Sequence, residues 1–178
     1  ADYICMAPQG TGTLIVGRLS AAGAMDVVQT VMLGPVQAGT DITDLQAVTV
    51  GGQRMLLSLS QARNELAVHG IGDAGALTPR RVFGADEGLW VSAPTVLATV
   101  EVAGAAYVLV AASGSASITV LRLTAQGDLV VTDHVIDTLD TRFDAVEAMA
   151  TVVLAGRVYV IAGGGDDGVT LFTLLPDG

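Results

Sequence analysis

An internal repeat of 52 residues is the feature that most constrains how this chain can fold. Glycines recur at this spacing in two series: Gly52, Gly104 and Gly156, and Gly23, Gly75 and Gly127. The segments between these glycines align in the same register, and all three tyrosines of the chain fall at one position of the unit. A fixed period of this kind is typical of architectures built from stacked copies of one supersecondary unit. We therefore interpret the chain as a series of such units.

Each unit contains four short runs of β-branched and aliphatic residues separated by Gly, Asn, Asp and Ser, which predicts four antiparallel strands joined by hairpins. We label these strands A to D along each unit. In the third unit they are predicted at 95–102, 106–111, 117–123 and 129–135. Strand A alternates in period two, whereas strand B is apolar at nearly every position and must be covered on both faces.

Repeated four-stranded sheets whose middle strands are covered on both faces are what the blades of a β-propeller require, since each blade packs between two neighbours. A two-sheet sandwich fits the strand spacing but gives no reason for the repeat. The coils of a parallel β-helix are much shorter than this unit. The predicted fold class is therefore all-β, as a segment of a β-propeller with four-stranded antiparallel blades.

The register of the repeat divides the chain into four predicted units. Residues 1–40 are expected to form a partial blade with strands B to D, residues 41–92 and 93–144 two full blades, and residues 145–178 a partial blade with strands A to C. The 178-residue chain therefore contains about 3.4 repeat units, with 14 predicted strands. A ring of six to eight blades needs on the order of 300 to 420 residues. We therefore expect a segment of a larger propeller, or a ring that another chain or a second copy completes.

Composition excludes several classes of function. Hydrophobic residues make up 51% of the chain and charged residues only 15%, which excludes a disordered chain. The formal net charge is -10 and all 8 basic residues are arginine, so the basic patch that nucleic acids and anionic membranes require is missing. Apolar stretches stay below the roughly 18 residues of a spanning helix, so membrane insertion is not expected. The single cysteine, Cys5, excludes an internal disulfide.

Two segments carry a resemblance to a known family. Residues 106–111, Ala-Tyr-Val-Leu-Val-Ala, and residues 118–129, Ile-Thr-Val-Leu-Arg-Leu-Thr-Ala-Gln-Gly-Asp-Leu, resemble the blades of lactonase-type, Tyr-Val-rich seven-bladed propellers. The lysine-poor, acidic composition, with Leu-Leu-Pro-Asp-Gly at 174–178 after a strand, is similar to the amino-terminal propeller regions of secreted hemolysin-type (RTX) calcium-binding proteins of marine alphaproteobacteria. The resemblance implies an extracellular bacterial protein whose calcium-binding nonapeptides and secretion signal would lie beyond Gly178.

Acidic residues concentrate on one predicted face of the propeller. The D-to-A and B-to-C loops of a propeller emerge on the same face, and ten of the 18 carboxylates map to or near these loops. We call this side of the molecule the loop face, and add Trp90 as a candidate ligand platform. The predicted ligand-face residues are Asp41, Asp44, Asp86, Glu87, Trp90, Asp137, Asp140, Asp144 and Glu147. The alternative is a solvated acidic surface that keeps a hydrophobic protein in solution.

A cation is the candidate cofactor at the loop face. Hard cations take carboxylate and carbonyl oxygens, so Ca²⁺ is a reasonable ligand there. The candidate metal-binding residues are Asp140, Asp144, Asp166 and Asp167. Residues 163–169 resemble the calcium nonapeptide only in part, because Asp166 occupies the fourth position, where that motif has glycine, and the segment occurs once. A hairpin turn is the alternative interpretation of this segment.

Candidate catalytic groups are scarce, and no catalytic residue is assigned. His69 and His134 fall in strands C and D, and neither is paired in sequence with a serine or cysteine nucleophile. Hydrogen-bonded strand histidines are therefore expected.

The sequence favours a non-catalytic binding or structural propeller module of a secreted hemolysin-type calcium-binding protein, with its ligand, of unidentified kind, on the loop face. One alternative is a lactonase-like hydrolase with a site at the propeller mouth, which would require carboxylates and a histidine converging near the axis. The other is an assembly module completed by another chain.

Overall fold

The computed structural model describes residues 2–33 and 42–178, which form four antiparallel sheets in chain order. The first sheet contains β1 (Asp2–Met6), β2 (Thr13–Leu19) and β3 (Met25–Met32). The second contains β4 (Ile42–Val50), β5 (Gln53–Ser60), β6 (Glu65–Ile71) and β7 (Leu77–Phe83). The third contains β8 (Pro94–Val102), β9 (Ala105–Ala112), β10 (Ser117–Leu123) and β11 (Leu129–Ile136). The fourth contains β12 (Ala148–Leu154), β13 (Arg157–Gly163) and β14 (Val169–Leu174).

The prediction of an all-β propeller segment with 14 strands is confirmed over the described residues. In the third unit, each observed strand end lies within one residue of its predicted position. The only helical segment in the described ranges is a short 3-10 turn, Ala85–Glu87, and no described helix has the length and apolar character needed to cross a membrane.

Two features of the backbone recur at the 52-residue spacing found in the sequence. The two-residue turn between strands A and B places both residues at positive φ, between 50° and 81°, in three sheets: Gly51 and Gly52, Ala103 and Gly104, Ala155 and Gly156. Two-residue hairpin turns with both φ values positive match the right-handed twist of the flanking strands. The pairing of strands C and D shifts register at the same position of three sheets, after Val16, Val68 and Val120, which are 52 residues apart.

The sheets pack face to face, and the core lies between them. We call the face that meets the following sheet the leading face, and the face that meets the preceding sheet the trailing face. At the junction of the third and fourth sheets, Leu109 and Val120 of the leading face contact Val158 and Val160 of the trailing face in one buried cluster. Equivalent clusters fill the first-to-second and second-to-third junctions. Each of these junctions therefore packs a leading face on a trailing face.

The A strands of the described sheets lie side by side, because β4 contacts β8 and β8 contacts β12. Two threonines near the start of these strands tie the second sheet to the third and the third sheet to the segment that begins the fourth. The hydroxyl of Thr43 donates to the carbonyl of Pro94 at 3.1 Å, and the hydroxyl of Thr95 donates to the carbonyl of Val146 at 2.7 Å. This arrangement brings the D-to-A loops together at one end of the strands.

Candidate functional site

The loop face is held together by hydrogen bonds between the D-to-A loops and the B-to-C turns. The amides of Ser113 and Gly114 donate to the carbonyls of Ala93 and Ser92, each at 3.0 Å. In the next pair of loops, the amide of Gly165 donates to the carbonyl of Asp144 at 2.8 Å. The two kinds of loop therefore lie on one face, as the strand order requires.

Three of the predicted ligand-face carboxylates are engaged by the protein's own backbone or hydroxyl groups. Asp137 accepts from the hydroxyl of Thr141 at 2.7 Å and from the amide of Phe143 at 3.1 Å. Asp44 accepts from the amide of Leu97 in the next sheet at 2.8 Å and from the amide of the following residue, Leu45, at 2.7 Å. Glu87 accepts from the amide of Gly84 at 2.9 Å. These carboxylates shape the loops, because each satisfies a backbone donor that would otherwise be unpaired.

Other predicted residues present their side chains to solvent. Trp90 is 74% exposed, and its indole N–H donates to the carbonyl of Ala85 at 3.0 Å. Four predicted carboxylates of the loop face are also exposed: Asp86, Asp140, Asp144 and Glu147. Asp41 lies outside the described residues.

The four residues nominated for a cation do not converge on a common centre. Residues 2–33 and 42–178 contain no group of three or more His, Cys, Asp or Glu side chains that could hold a metal ion. Asp140, Asp144 and Asp167 are exposed, while Asp166 is half-buried and one of its carboxylate oxygens has no hydrogen-bond partner among the described residues. Calcium prefers six to eight oxygen ligands, and the side chains of this stretch do not supply such a set.

An open cleft of about 270 Å³ lies on the loop face at the second sheet. It brings Asp86 and Glu87 of the predicted set together with Arg63, Glu65 and Val82. The guanidinium Nε of Arg63 lies 3.2 Å from a carboxylate oxygen of Glu65, so this ion pair forms part of the cleft wall. We call this cleft the vestibule.

A second cavity of about 130 Å³ adjoins the vestibule, because Arg63, Glu65 and Val82 line both. It lies between the first and second sheets, and we call it the inter-sheet cavity. Most of its wall is apolar, from residues such as Val31, Ile42, Ala67 and Pro79. Its polar groups come from the ion pair and from the trailing side of the second sheet, as Ser58, Ser60 and His69.

The serine and histidine of this cavity form a buried pair. The imidazole Nε2 of His69 lies 3.3 Å from the hydroxyl of Ser58, and the two residues are 2% and 1% exposed. The other ring nitrogen, Nδ1, is buried and has no hydrogen-bond partner among the described residues. Burial lowers the pKa of the His69 imidazole below its ordinary value of 6.5, so the ring is neutral at pH 7.

Both histidines are hydrogen-bonded strand residues, as the sequence predicted. His134 pairs through Nδ1 with the hydroxyl of Thr119 at 2.8 Å. Neither histidine lies on the adjacent A strands, since His69 belongs to β6 and His134 to β11.

Sequence reasoning missed Ser58, Ser60 and Arg63 altogether. The repeat itself contained the signal, because the third sheet has Val110, Ala112 and Leu121 where the second has Ser58, Ser60 and His69. Polar residues at three positions that are apolar one repeat later break the local pattern, and such departures concentrate at functional sites.

No family model and no curated protein matches this chain. Among solved structures, a protein from Lactobacillus plantarum matches with a TM-score of 0.59 and 21% identity, over 96% of this chain and 53% of the other. The periplasmic gluconolactonase of Pseudomonas aeruginosa matches with a TM-score of 0.57 and 19% identity, over 71% of this chain and 34% of the other. An exo-beta-1,3-galactanase from Phanerochaete chrysosporium, with beta-1,3-galactotriose, matches with a TM-score of 0.61 and 10% identity, over 98% and 47%.

The chain thus spans about half or less of the length of these three proteins. At such low identities the likeness concerns the fold alone. The predicted resemblance to lactonase-type propellers holds at that level, and the chain has the fold of a partial β-propeller.

Proposed function

We propose that this chain is a non-catalytic structural and binding module: an arc of four propeller blades whose two outer faces are covered by further blades of the same ring. The observation that carries the proposal is the exposure of apolar side chains on those faces, at repeat positions that are buried inside the arc. Large contiguous apolar patches on a protein surface are typical of interaction sites.

The leading face of the fourth sheet is the first of these surfaces. Ile161, which is 39% exposed, occupies the position of Leu109, which is 1% exposed. Leu171 pairs with Ile161 as Val120 pairs with Leu109, yet Leu171 is 62% exposed and Val120 only 5%. The side chains are apolar at both places, so the difference lies only in whether a following sheet covers them. On the same sheet, the side chain of Val169 is 70% exposed and that of Leu154 is 58% exposed.

The trailing face of the first sheet is the second surface. Ile4 is 39% exposed, whereas Leu56 at the same position of the second sheet is 3% exposed. Met25 is 41% exposed, whereas its counterpart Leu77 is 2% exposed. Complete burial of one such side chain contributes about 1.5 to 3 kcal/mol, so several of them supply a substantial driving force for a partner.

The two surfaces are complementary in kind. Every junction within the arc packs a leading face on a trailing face, and the arc presents one unfilled leading face and one unfilled trailing face. Blades added at either end therefore meet the type of surface for which the repeat is built. Head-to-tail packing of this type closes into a ring when the rotations sum to a full turn.

The loop face supports the binding part of the proposal. It presents the vestibule with Asp86 and Glu87 and, in the same loop, the exposed indole of Trp90. We extend the proposal to a secreted protein on the strength of the sequence resemblance to hemolysin-type calcium-binding proteins. A calcium site within the loop face is not part of it, because the described carboxylates do not converge.

Sedimentation velocity over a concentration series, with binding of a hydrophobic dye, tests the proposal. We expect the isolated chain to bind the dye and to associate as concentration rises. The double variant Val169→Glu and Leu171→Glu should reduce both signals, because it places charge on the leading face. The matched control is Leu139→Glu, since Leu139 is 95% exposed in a loop outside that face.

Two results would contradict the proposal. One is a monomer that binds no dye at any concentration. The other is an association that the control variant reduces as much as the double variant does. Far-UV circular dichroism of all three proteins establishes that the comparison is made between folded chains. Export of the full-length protein from the cell, followed by fractionation of culture medium and cells, tests the secreted location separately.

A further inference from the structure

The inter-sheet cavity has the size, the polarity and the access of a small-molecule site. Its volume of about 130 Å³ approaches the roughly 150 Å³ of an apolar protein cavity that holds benzene. The wall is largely apolar with a few convergent polar groups, which is typical of ligand sites. The vestibule lies next to it and opens on the loop face, so a ligand has a route past Arg63 and Glu65.

The charges of the cavity select against an ionic ligand. Arg63 and Glu65 neutralise one another, and Arg63 also donates to the carbonyl of Leu33 through Nη1. The His69 ring is neutral at pH 7 because burial lowers its pKa. An ion entering this space would lose its hydration without gaining an unpaired opposite charge from the described lining residues, which is costly. The cavity therefore suits a neutral molecule.

Nδ1 of His69, which has no hydrogen-bond partner among the described residues, specifies one polar group on that molecule. Nε2 of His69 is paired with the hydroxyl of Ser58, and the pairing is compatible with either tautomer. Nδ1 is then a donor in one tautomer and an acceptor in the other. A hydroxyl group both donates and accepts, so it satisfies Nδ1 in either case. A buried nitrogen left without a partner costs about 1 to 3 kcal/mol, which such a ligand would recover.

We propose that the inter-sheet cavity binds a small neutral hydroxyl compound with an apolar body, of the size of a phenol, whose hydroxyl pairs with Nδ1 of His69. The apolar body would lie against Val31, Ile42 and Pro79. The site is distinct from the outer faces that carry the proposed assembly, so either proposal can fail without the other. Every residue named here as lining the vestibule or the cavity belongs to the described part of the chain.

Phenol is the probe, and its binding to the whole chain is followed by NMR of the histidine side chains. We expect phenol to shift the His69 ring resonances saturably, with toluene, which has the same ring and no hydroxyl, binding at least tenfold more weakly. Benzoate should bind at least tenfold more weakly as well, because it is charged. His134 ring resonances serve as the internal control, since that ring pairs with Thr119 in another sheet.

Variants distinguish a cavity that recognises the phenol hydroxyl from one that binds only the apolar ring. The double variant Ser58→Val with His69→Leu introduces the residue types that the third sheet has at these positions, Val110 and Leu121. The second sheet should therefore still fold, because the third sheet packs with these residues. Phenol affinity should fall at least tenfold in this variant, measured by calorimetry, and stay unchanged in His134→Gln. Should the first variant not fold, His69→Phe provides the same comparison, because it keeps an aromatic ring at this position and removes the ring nitrogen that pairs with a hydroxyl.

Several outcomes would overturn the proposal. Equal affinity for phenol and toluene would show that the hydroxyl is not recognised. Unchanged phenol affinity in the Ser58→Val and His69→Leu variant would place binding elsewhere. The absence of saturable His69 shifts at tens of millimolar phenol would leave the cavity as a space for water alone.

Discussion

The third and fourth sheets repeat one pattern of apolar residues, yet they differ in what those residues do. In the third sheet, Leu109 and Val120 are buried between neighbouring sheets, whereas Ile161 and Leu171 at the same positions of the fourth are exposed. The strand pairing around them is the same. A sheet of this type therefore keeps the same hydrogen-bonded ladder with only one face covered, but all of its apolar positions become core only when both faces are covered.

The largest expected effect tests this difference directly. Leu109→Ala should lower the free energy of unfolding by about 3 kcal/mol, because it leaves a cavity in a filled junction. Ile161→Ala should lower it by about 1 kcal/mol or less, since its side chain is already 39% exposed. Urea unfolding of both variants measures the two losses of unfolding free energy. Equal losses would mean that the fourth sheet is covered in solution as the third is.

A second prediction concerns the loop that joins these two sheets. Asp137→Ala should cost about 2 kcal/mol, because the hydroxyl of Thr141 and the amide of Phe143 lose their acceptor. The loop inserts the fully buried ring of Phe143 edge-on to Phe172, at a centroid distance of 5.5 Å, into the junction. The control Asp140→Ala, in the same loop, should change stability by less than about 0.5 kcal/mol. A similar loss in both would indicate a general charge effect instead.

A third prediction uses the buried histidine of the second, inner sheet. Because burial lowers the pKa of His69 in the folded chain, the unfolded chain binds more protons as the pH falls through 6.5. The neutral ring therefore costs no stability above pH 7, and stability is lost progressively below it. Thermal unfolding between pH 7.5 and pH 5 should show a smaller decrease of Tm in His69→Leu than in the original chain. Parallel Tm profiles would contradict a buried neutral ring.

The smallest expected effect is a gain in stability at the A-to-B turns, and it should be equal in the third and the fourth sheet. Ala103 and Ala155 both adopt φ of 50° in their A-to-B turns, a conformation that asparagine tolerates better than alanine. Ala103→Asn and Ala155→Asn should each raise the free energy of unfolding by about 0.5 kcal/mol in urea titrations. Since this gain is local to the turn, a marked difference between the two would show that the outer sheet frays separately.

The candidate site was only partly predictable, for a physical reason. Loop acids such as Asp86 and Glu87 were found because strand order alone determines which loops share a face, and they line the vestibule. Ser58 and His69 lie eleven residues apart on neighbouring strands, and only their register brings the hydroxyl to the imidazole. Arg63 reaches the cavity from a turn, which no periodicity indicates.

The amino-acid sequence alone determined the repeat, the strands, their order and the apolar face of each sheet, because turn chemistry and residue alternation are local properties. Tertiary structure decided which apolar positions become core and which remain exposed, since burial depends on a neighbouring sheet that the local pattern does not encode. It also decided the role of each carboxylate: Asp137 accepts hydrogen bonds from Thr141 and Phe143 and anchors the loop, whereas Asp140 is exposed to solvent.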